Sequence, residues 1–270
     1  MAFKYLRFPL ELWNNHDLLW QLGKRNIQGR YRGSVLGWTW SFATPLLMLA
    51  VYTFVFSEVF KARWGDLQDL GPLGFAINLF AGLIVFNAFA EVANQSTDLI
   101  LNNKNLVTKV VFPLPILSAV VLISALFHAI TSLGVLMIFE VATGHGIPLT
   151  IVLLPLIWLP AISGFLALSW VLSSLGVYLR DLGQVMGVIT NLLMFLSAVF
   201  YPLSALPERW QPLLRINPLV LVIEQTRLVA VEGKPPSWLY ISVGSMIGVL
   251  SCELAFRAFQ RARRGFADVI

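Results

Sequence analysis

Six apolar runs occupy most of this chain, and each is long enough to cross a lipid bilayer as a helix. A hydrocarbon core about 30 Å thick requires roughly 20 consecutive apolar residues, because each helical residue advances about 1.5 Å. The sequence therefore predicts an all-α integral membrane protein with six transmembrane helices. The runs cover residues 35–60, 73–93, 114–139, 147–177, 182–201 and 238–256.

The composition supports this class and excludes two others. Hydrophobic residues make up 57% of the 270 residues, and charged residues make up only 12%. Soluble domains carry about 25% charged residues. If this chain were soluble, it would have too few polar groups to cover its surface. Disorder requires low hydrophobicity and high charge. The chain is therefore expected to contact membrane lipid over most of its surface.

The positive charges are concentrated on one side of the predicted topology. With both termini in the cytoplasm, the inner segments carry 13 lysine and arginine residues and the outer segments carry six. The positive-inside rule therefore favours a multi-pass protein of the cytoplasmic (inner) membrane with both termini inside. The same asymmetry accounts for the net charge of +5, so we expect no nucleic-acid partner.

Two polar segments flank the predicted membrane domain at residues 35–258. Residues 1–34 combine leucine and tryptophan with lysine and arginine, which predicts an amphipathic helix lying at the cytoplasmic headgroups. Residues 259–270 are predicted to form a basic cytoplasmic tail.

A shorter apolar segment lies between the fifth and sixth predicted spans. Asn217 can cap its start, Pro218 suits the first helical position, and Gly233 follows its end. The segment has about thirteen residues and contains Glu224 and Arg227, so it is too short and too polar to span the bilayer. We therefore expect re-entrant helices on the outer face rather than a seventh span.

The sequence contains no recognisable catalytic or metal-binding pattern. Walker A, HExxH and GxSxG motifs are absent from it, so we expect neither an enzyme nor a metal site. His128 lies within the third predicted span, and both a packing histidine and a proton relay explain it. The spans are expected to lack the paired acids and bases of ion-coupled carriers. Energy for any uphill transport would then come from a partner.

Glycines recur at four-residue spacing in three places. Such spacing lets helix backbones approach each other closely in lipid. Packing within one chain and a seam between two copies of the chain both explain it. The glycines are Gly29, Gly33 and Gly37, then Gly183 and Gly187, then Gly244 and Gly248.

Aromatic residues form a stripe along the first predicted span at helical spacing. Packing against lipid or the core explains such a stripe, and so does a conduit in which aromatic faces contact the apolar faces of sugar rings. The stripe contains Trp38, Phe42, Tyr52, Phe56 and Phe60, and Phe86, Phe195, Phe200 and Tyr201 would extend it.

Four motifs, in order along nearly the whole chain, resemble the type-2 ABC export permeases. Within that family the chain is most similar to the subunits that export O-antigen polysaccharides and teichoic acids. The motifs are RYRGSVLGW at 30–38 running into VYTFVF at 51–56, NLV at 105–107 with Lys109 and Phe112-Pro113, YLRDL at 178–182 with FYP at 200–202, and NPL at 217–219 with Glu224 and Arg227.

The resemblance implies a non-catalytic permease that exports a lipid-linked polysaccharide, with O-antigen favoured over teichoic acid or capsule. It implies the type-2 exporter fold, a homodimer, and two copies of a separate ATPase that binds ATP and magnesium, so that this chain holds no cofactor. An exporter of a drug, haem or another lipid is the alternative.

The resemblance also implies roles for individual residues. The aromatic stripe and its extensions would line the conduit, the re-entrant helices would form an outer gate, and the loop before the third span would couple to the ATPase. The gate residues would be Asn217, Pro218, Glu224 and Arg227, and the coupling residues would be Asn105, Leu106, Lys109 and Phe112.

Overall fold

A computed structural model of the protein describes residues 7–59, 72–109 and 111–270. Within these ranges the chain consists of helices and the turns that join them. The α-helices are α1 (Arg7–Asn14), α2 (His16–Tyr31), α3 (Trp40–Phe54), α4 (Pro72–Thr97), α5 (Lys104–Thr108), α6 (Pro115–Ala142), α7 (Leu154–Tyr178), α8 (Leu182–Leu196), α9 (Gln211–Arg215), α10 (Pro218–Ala230), α11 (Trp238–Ala262) and α12 (Phe266–Val269).

Four helical stretches among the described residues are long and apolar enough to cross a bilayer. They are Leu73–Thr97, Pro115–Ala142, Leu149–Tyr178 and Trp238–Val269. The predicted all-helical membrane architecture is therefore confirmed. The first and fifth predicted spans contain the shorter α3 and α8, with 15 residues each, so the number six stays a prediction.

Helix α4 lies at the centre of the bundle. It packs against α3, α6, α7, α8 and α10, and 83% of its most apolar window is buried. Apolar side chains on all sides suit this position, because a helix surrounded by other helices has no face that requires water. Its one buried amide, Asn78, donates a hydrogen bond to the backbone oxygen of Gly74, which satisfies that donor within the helix.

Helices α7 and α11 form the most extensive helix pair. A Cβ atom on Gly248 would lie 2.0 Å from Ser163 Oγ, and one on Gly244 would lie 3.1 Å from Pro160 Cβ. A larger residue at either position would force Ser163 or Pro160 to shift. The Gly244/Gly248 spacing therefore serves packing within one chain.

The N-terminal helices α1 and α2 lie against the bundle at the end where α11 finishes, which we call the basic end after Arg257, Arg261, Arg263 and Arg264. Trp13 and Trp20 are 76% and 69% exposed, whereas Gly23 and Ile27 of α2 are buried. Such a two-sided segment agrees with the predicted amphipathic helix, because exposed tryptophan is typical of headgroup layers.

The predicted basic tail at residues 259–270 is folded back onto the bundle. Helix α11 continues to Ala262, and α12 packs against α5 and α7. Phe259 and Phe266 are fully buried, with their ring centroids 5.6 Å apart. These two aromatic side chains anchor the segment, while its arginines remain on the outside.

Candidate functional site

Three ionisable side chains from three helices meet beside the bundle interior. Arg30 Nη2 on α2 lies 3.0 Å from Glu91 Oε1 on α4, and His128 Nδ1 on α6 lies 2.9 Å from Glu91 Oε2. We call Arg30, Glu91 and His128 the charged triad. His128 Nδ1 lies within hydrogen-bond distance of both Glu91 Oε2 and Arg30 Nη1, at 2.9 and 3.0 Å. The triad therefore ties α2 to both α4 and α6.

The triad lines one part of a cavity of about 610 Å³. The cavity lies between the end of α2 and helices α3, α4 and α6, and Tyr31 and Tyr52 also line it. Burial raises the pKa of Tyr31, with Arg30 opposing the shift and Glu91 adding to it. The Tyr31 hydroxyl therefore stays protonated at neutral pH and remains a hydrogen-bond donor to this space.

The charged triad corrects one expectation. The spans were expected to lack paired acids and bases, but Glu91 and His128 form such a pair on consecutive spans. His128 is hydrogen-bonded at Nδ1, which agrees with both a packing histidine and a proton relay. The sequence signal for this pair was an acid in one span and a histidine in the next. No sequence pattern indicated that Arg30 would join them.

Part of the predicted aromatic stripe forms a cluster, which we call the aromatic cluster. The Phe56 ring stacks on Phe75 at a centroid distance of 4.9 Å and lies 6.4 Å from Phe200. Tyr52 lies 6.5 Å from Phe56, and Phe195 lies 5.3 Å from Phe200. The cluster joins α3 and the turn after it to α4, α8 and the segment after α8. Phe75 lies off the α3 stripe, so helical spacing along α3 does not identify it.

The other predicted conduit residues lie in different places. Tyr201 is near the cluster and donates from its hydroxyl to the Phe195 backbone oxygen at 2.8 Å. Trp38 instead contacts Phe127, with 5.6 Å between ring centroids, and Phe42 is 51% exposed. Phe60 lies outside the described residues.

Phe86 does not join the aromatic cluster. It is 3% exposed and packs in the core against Phe89, with 5.8 Å between ring centroids. Helical spacing identifies a shared face but does not reveal whether another helix covers that face. The buried Phe86 ring therefore does not line a conduit in this subunit, contrary to the expectation.

The predicted outer segment forms helix α10, and its cap is as predicted. Asn217 Oδ1 accepts a hydrogen bond from the Leu219 backbone nitrogen at 3.0 Å, and Pro218 occupies the first turn. Asn217 Nδ2 also donates to Ser197 Oγ at 3.0 Å. The cap therefore joins α10 to the end of α8. With 13 residues, α10 is about 20 Å long, which is shorter than a bilayer core.

Arg227 connects α10 to two other elements from a buried position. Its Nε donates to the Asn78 backbone oxygen at 2.9 Å, and its Nη1 and Nη2 donate to the oxygens of Ala198 and Val199 at 2.9 and 2.7 Å. Arg227 is only 2% exposed. Because Ala198 and Val199 follow α8, their carbonyls have no following helical turn to bind them. The guanidinium satisfies these carbonyls.

Gly82 on α4 provides the space for this guanidinium. A Cβ atom at that position would lie 2.6 Å from Arg227 Nη2 and 3.3 Å from Ile223 Cγ2. Glu224, the remaining gate residue, is half-buried on the same helix. Its charge opposes the lowering effect of burial on the pKa of Arg227.

The predicted coupling residues lie on and after the short helix α5, at the basic end. Asn105 and Lys109 are exposed, whereas Leu106 and Phe112 are partly buried against the core. The Phe112 backbone oxygen accepts a hydrogen bond from Arg263 Nη2 at 3.1 Å. Helix α5 therefore has an exposed polar face and an apolar anchor, which suits a surface that receives force from another protein.

Metal-ligating side chains do not gather anywhere in the described ranges: no three histidine, cysteine, aspartate or glutamate residues there come close enough to hold an ion.

One known protein family matches most of the chain. The family described as ABC-2 type transporter matches residues 17–230, a stretch that begins in α2 and ends with α10.

Individual relatives are similar over most of their lengths. The chain is 27% identical to the O-antigen export system permease protein RfbA of Myxococcus xanthus, over 98% of this chain and 100% of the relative. It is 24% identical to the polysialic acid transport protein KpsM of Escherichia coli, over 84% of each. It is 26% identical to the inner membrane transport permease YadH of Escherichia coli K12, over 70% of this chain and 75% of the relative.

Proposed function

The chain belongs to the ABC-2 type transporter family, and from this premise we propose that it is the permease subunit of an ATP-driven exporter of lipid-linked polysaccharide. The carrying observation is that relatives named for O-antigen export and for polysialic acid transport match it over 84% or more of this chain. O-antigen is the favoured cargo, because the RfbA relative matches along its whole length.

The proposed topology has six spans in the inner membrane and both termini in the cytoplasm. Beyond the four long apolar helices, the helical turns at Gly37–Thr39, helix α3 and the π-turn at Val55–Val59 follow one another without a break. They extend about 35 Å at the rise of an α-helix, which supports a first span. Helix α8 and the residues after it to Tyr201 would form the fifth span, and the basic end faces the cytoplasm by the positive-inside rule.

The aromatic cluster supports a polysaccharide conduit. Tyr52, Phe56, Phe195 and Phe200 bring together rings from α3, the turn after it, α8 and the segment after α8. Ring faces contact the apolar faces of sugars without holding them by many hydrogen bonds, so a long glycan can slide. In the proposed homodimer, the exposed apolar faces of α3 and α8 would meet those of the second copy around the path.

Coupling to ATP hydrolysis is assigned to α5 and α2. Two copies of a separate ATPase, which bind ATP and magnesium, would contact the exposed face of α5 through Asn105 and Lys109. Movement of α2 would reach α4 and α6 through the charged triad, because Arg30 and His128 both bind Glu91. Helix α10 and its Arg227 contacts would form the gate at the far end.

Gene deletion with complementation tests the cargo. Deleting the gene is expected to remove the surface polysaccharide while its lipid-linked precursor accumulates inside the cell, and re-expression of the chain is expected to restore it. Unchanged surface glycan together with a new drug sensitivity would contradict the proposal and favour the alternative cargo.

Co-expression with a cognate ATPase tests the assembly. Native mass measurement is expected to find two copies of each subunit in one complex. Export that continues when this chain is reconstituted alone would contradict the separate motor.

Cysteine labelling tests the orientation. The chain has one cysteine, Cys252, which is buried. In a Cys252→Ser background, maleimide labelling therefore reports only on a single introduced cysteine. A cysteine at Asp268 is expected to be protected from an impermeant maleimide in intact cells, and one at Glu208 is expected to react. The reverse pattern would invert the topology.

A further inference from the structure

A groove at the basic end lies between α1 and the last turns of α11, and we call it the basic groove. Its volume is about 630 Å³, and Arg7, Arg263 and Arg264 line it together with the amide side chains of Asn14 and Gln260. Leu10 and Phe256 form an apolar part of its wall. The groove is separate from the charged triad, the aromatic cluster and α5.

Both walls of the basic groove are held in place by contacts outside it. Glu253 Oε2 on α11 accepts hydrogen bonds from the backbone nitrogens of Arg7 and Phe8 at 2.9 and 3.4 Å. This buried carboxylate caps the start of α1 and fixes it against α11. On the other wall, Arg263 Nη2 donates to the Phe112 backbone oxygen. The groove therefore exists before any ligand binds.

The charges in the groove suit a phosphate group. Three arginines and one acidic residue, Glu11, line the groove. Within the described part of the chain, neither Arg7 nor Arg264 makes an ion pair, and both are exposed. Guanidinium forks match phosphate oxygens in pairs, and the amides of Asn14 and Gln260 supply further donors. The volume exceeds that of a single phosphate and leaves room for a glycerol backbone.

The surroundings indicate that the phosphate belongs to a lipid. Trp13 lies one residue before Asn14 and is 76% exposed, and Leu10 is 50% exposed on the same helix. Exposed tryptophan and leucine on an amphipathic helix place that helix in the headgroup layer. A lipid phosphate at this depth would enter the groove while its acyl chains stay beside Leu10 and Trp13. The proposed orientation places the groove in the cytoplasmic leaflet, where basic clusters attract anionic lipids.

We propose that the basic groove is a binding site for the phosphate of an anionic phospholipid of the cytoplasmic leaflet, which fastens α1 to the membrane beside α11. The site does not depend on which molecule the chain exports.

Lipid retention by paired variants tests this site. The full chain is purified from membranes that contain phosphatidylglycerol and phosphatidylcholine, and the lipids that stay bound are counted by native mass spectrometry. The test variant is Arg7→Gln/Arg264→Gln; Arg7 contacts Glu253 through its backbone nitrogen, so the cap of α1 stays. The control is Arg32→Gln/Arg261→Gln, which removes two exposed charges that do not line the groove.

The test variant is expected to bind phosphatidylglycerol roughly thirty-fold more weakly than the natural chain (about 2 kcal/mol), with phosphatidylcholine unchanged. The control is expected to retain both lipids. Arg264→Lys, which keeps the charge but loses the fork, is expected to retain an intermediate amount and to fold as the natural chain does.

Three results would overturn the proposal. Equal loss of phosphatidylglycerol in the test and control variants would mean diffuse charge attraction. Displacement of the lipid by inorganic phosphate alone would mean a site for small anions. Full lipid retention by the test variant, with loss of a co-purified ATPase, would mean that the groove binds an acidic protein surface.

Discussion

Replacing Gly82 by alanine tests whether the buried Arg227 contacts hold α10 to α4. The new Cβ would lie 2.6 Å from Arg227 Nη2, so the guanidinium must move and lose its 2.7 Å hydrogen bond to the Val199 oxygen. A hydrogen bond to a charged group contributes about 1.5–3 kcal/mol, whereas alanine favours the helix over glycine by about 1 kcal/mol. Gly82→Ala is therefore expected to destabilise the chain by roughly 0.5–2 kcal/mol.

The effect of Gly82→Ala on stability is expected to change sign when Arg227 is replaced by a shorter residue. Arg227→Gln alone leaves buried carbonyls without their donors, which costs about 3 kcal/mol or more. That cost corresponds to a decrease in Tm of roughly 6–12 °C for a chain of this size. Without the long side chain, the methyl group introduced by Gly82→Ala has room, so this substitution is expected to stabilise the Arg227→Gln variant by up to about 1 kcal/mol.

Thermal unfolding in detergent, followed by tryptophan fluorescence, measures this double-mutant cycle. Gly134→Ala is the matched control, because a Cβ atom at Gly134 would have no neighbour within 4 Å, and it is expected to shift the Tm equally in both backgrounds. If Gly82→Ala shifts the Tm by the same amount and sign in both backgrounds, the two residues do not act through one contact and the reasoning is wrong.

Three further predictions concern the α2 contact, the conduit and the coupling to ATP hydrolysis. Glu91→Gln is expected to weaken the contact between α2 and the spans by about 2 kcal/mol, because Arg30 loses its charged partner at a half-exposed site; pulsed hydrogen exchange of α2 measures it, and unchanged protection would contradict it. Phe56→Ala is expected to reduce glycan export several-fold while ATPase assembly is kept, as surface glycan staining and co-purification would report. Leu106→Ala or Lys109→Ala is expected to uncouple ATP hydrolysis from export, seen as ATPase activity that no longer rises with transport.

Two comparisons make these transport predictions specific. Phe42→Ala removes an exposed ring that lies outside the aromatic cluster, and it is expected to leave export near its natural level. Equal export in Phe56→Ala and Phe42→Ala would remove the cluster from the conduit. For coupling, Lys104→Ala changes a neighbouring exposed lysine outside the predicted set, and an identical effect there would argue against a specific role of Lys109.

Much of the local structure of α10 follows from neighbouring residues in the sequence. Asn217 and Pro218 start the helix as predicted, because capping is a contact between residues two apart. The partners of Arg227 lie 28, 29 and 149 residues away. No sequence pattern connects residues that are this far apart in the chain, so only the three-dimensional structure reveals the buried contacts of this arginine.

The charged triad illustrates the same difference. Each member was visible in the sequence, yet the spans were expected to lack paired acids and bases, and Arg30 was placed in the helix predicted at the cytoplasmic headgroups. Their meeting depends on how α2 crosses α6 and how α4 packs beside it.

The sequence by itself determined that this chain is a helical membrane protein with an amphipathic start, because apolar run length and charge asymmetry are properties of the chain alone. Only the tertiary structure decided which apolar faces are covered by protein: the windows of α4 and α11 have mean hydropathies of 2.0 and 1.7, yet 83% of the first and 33% of the second are buried. Lipid tails and protein interiors are equally apolar, so hydropathy identifies both kinds of face and packing alone separates them.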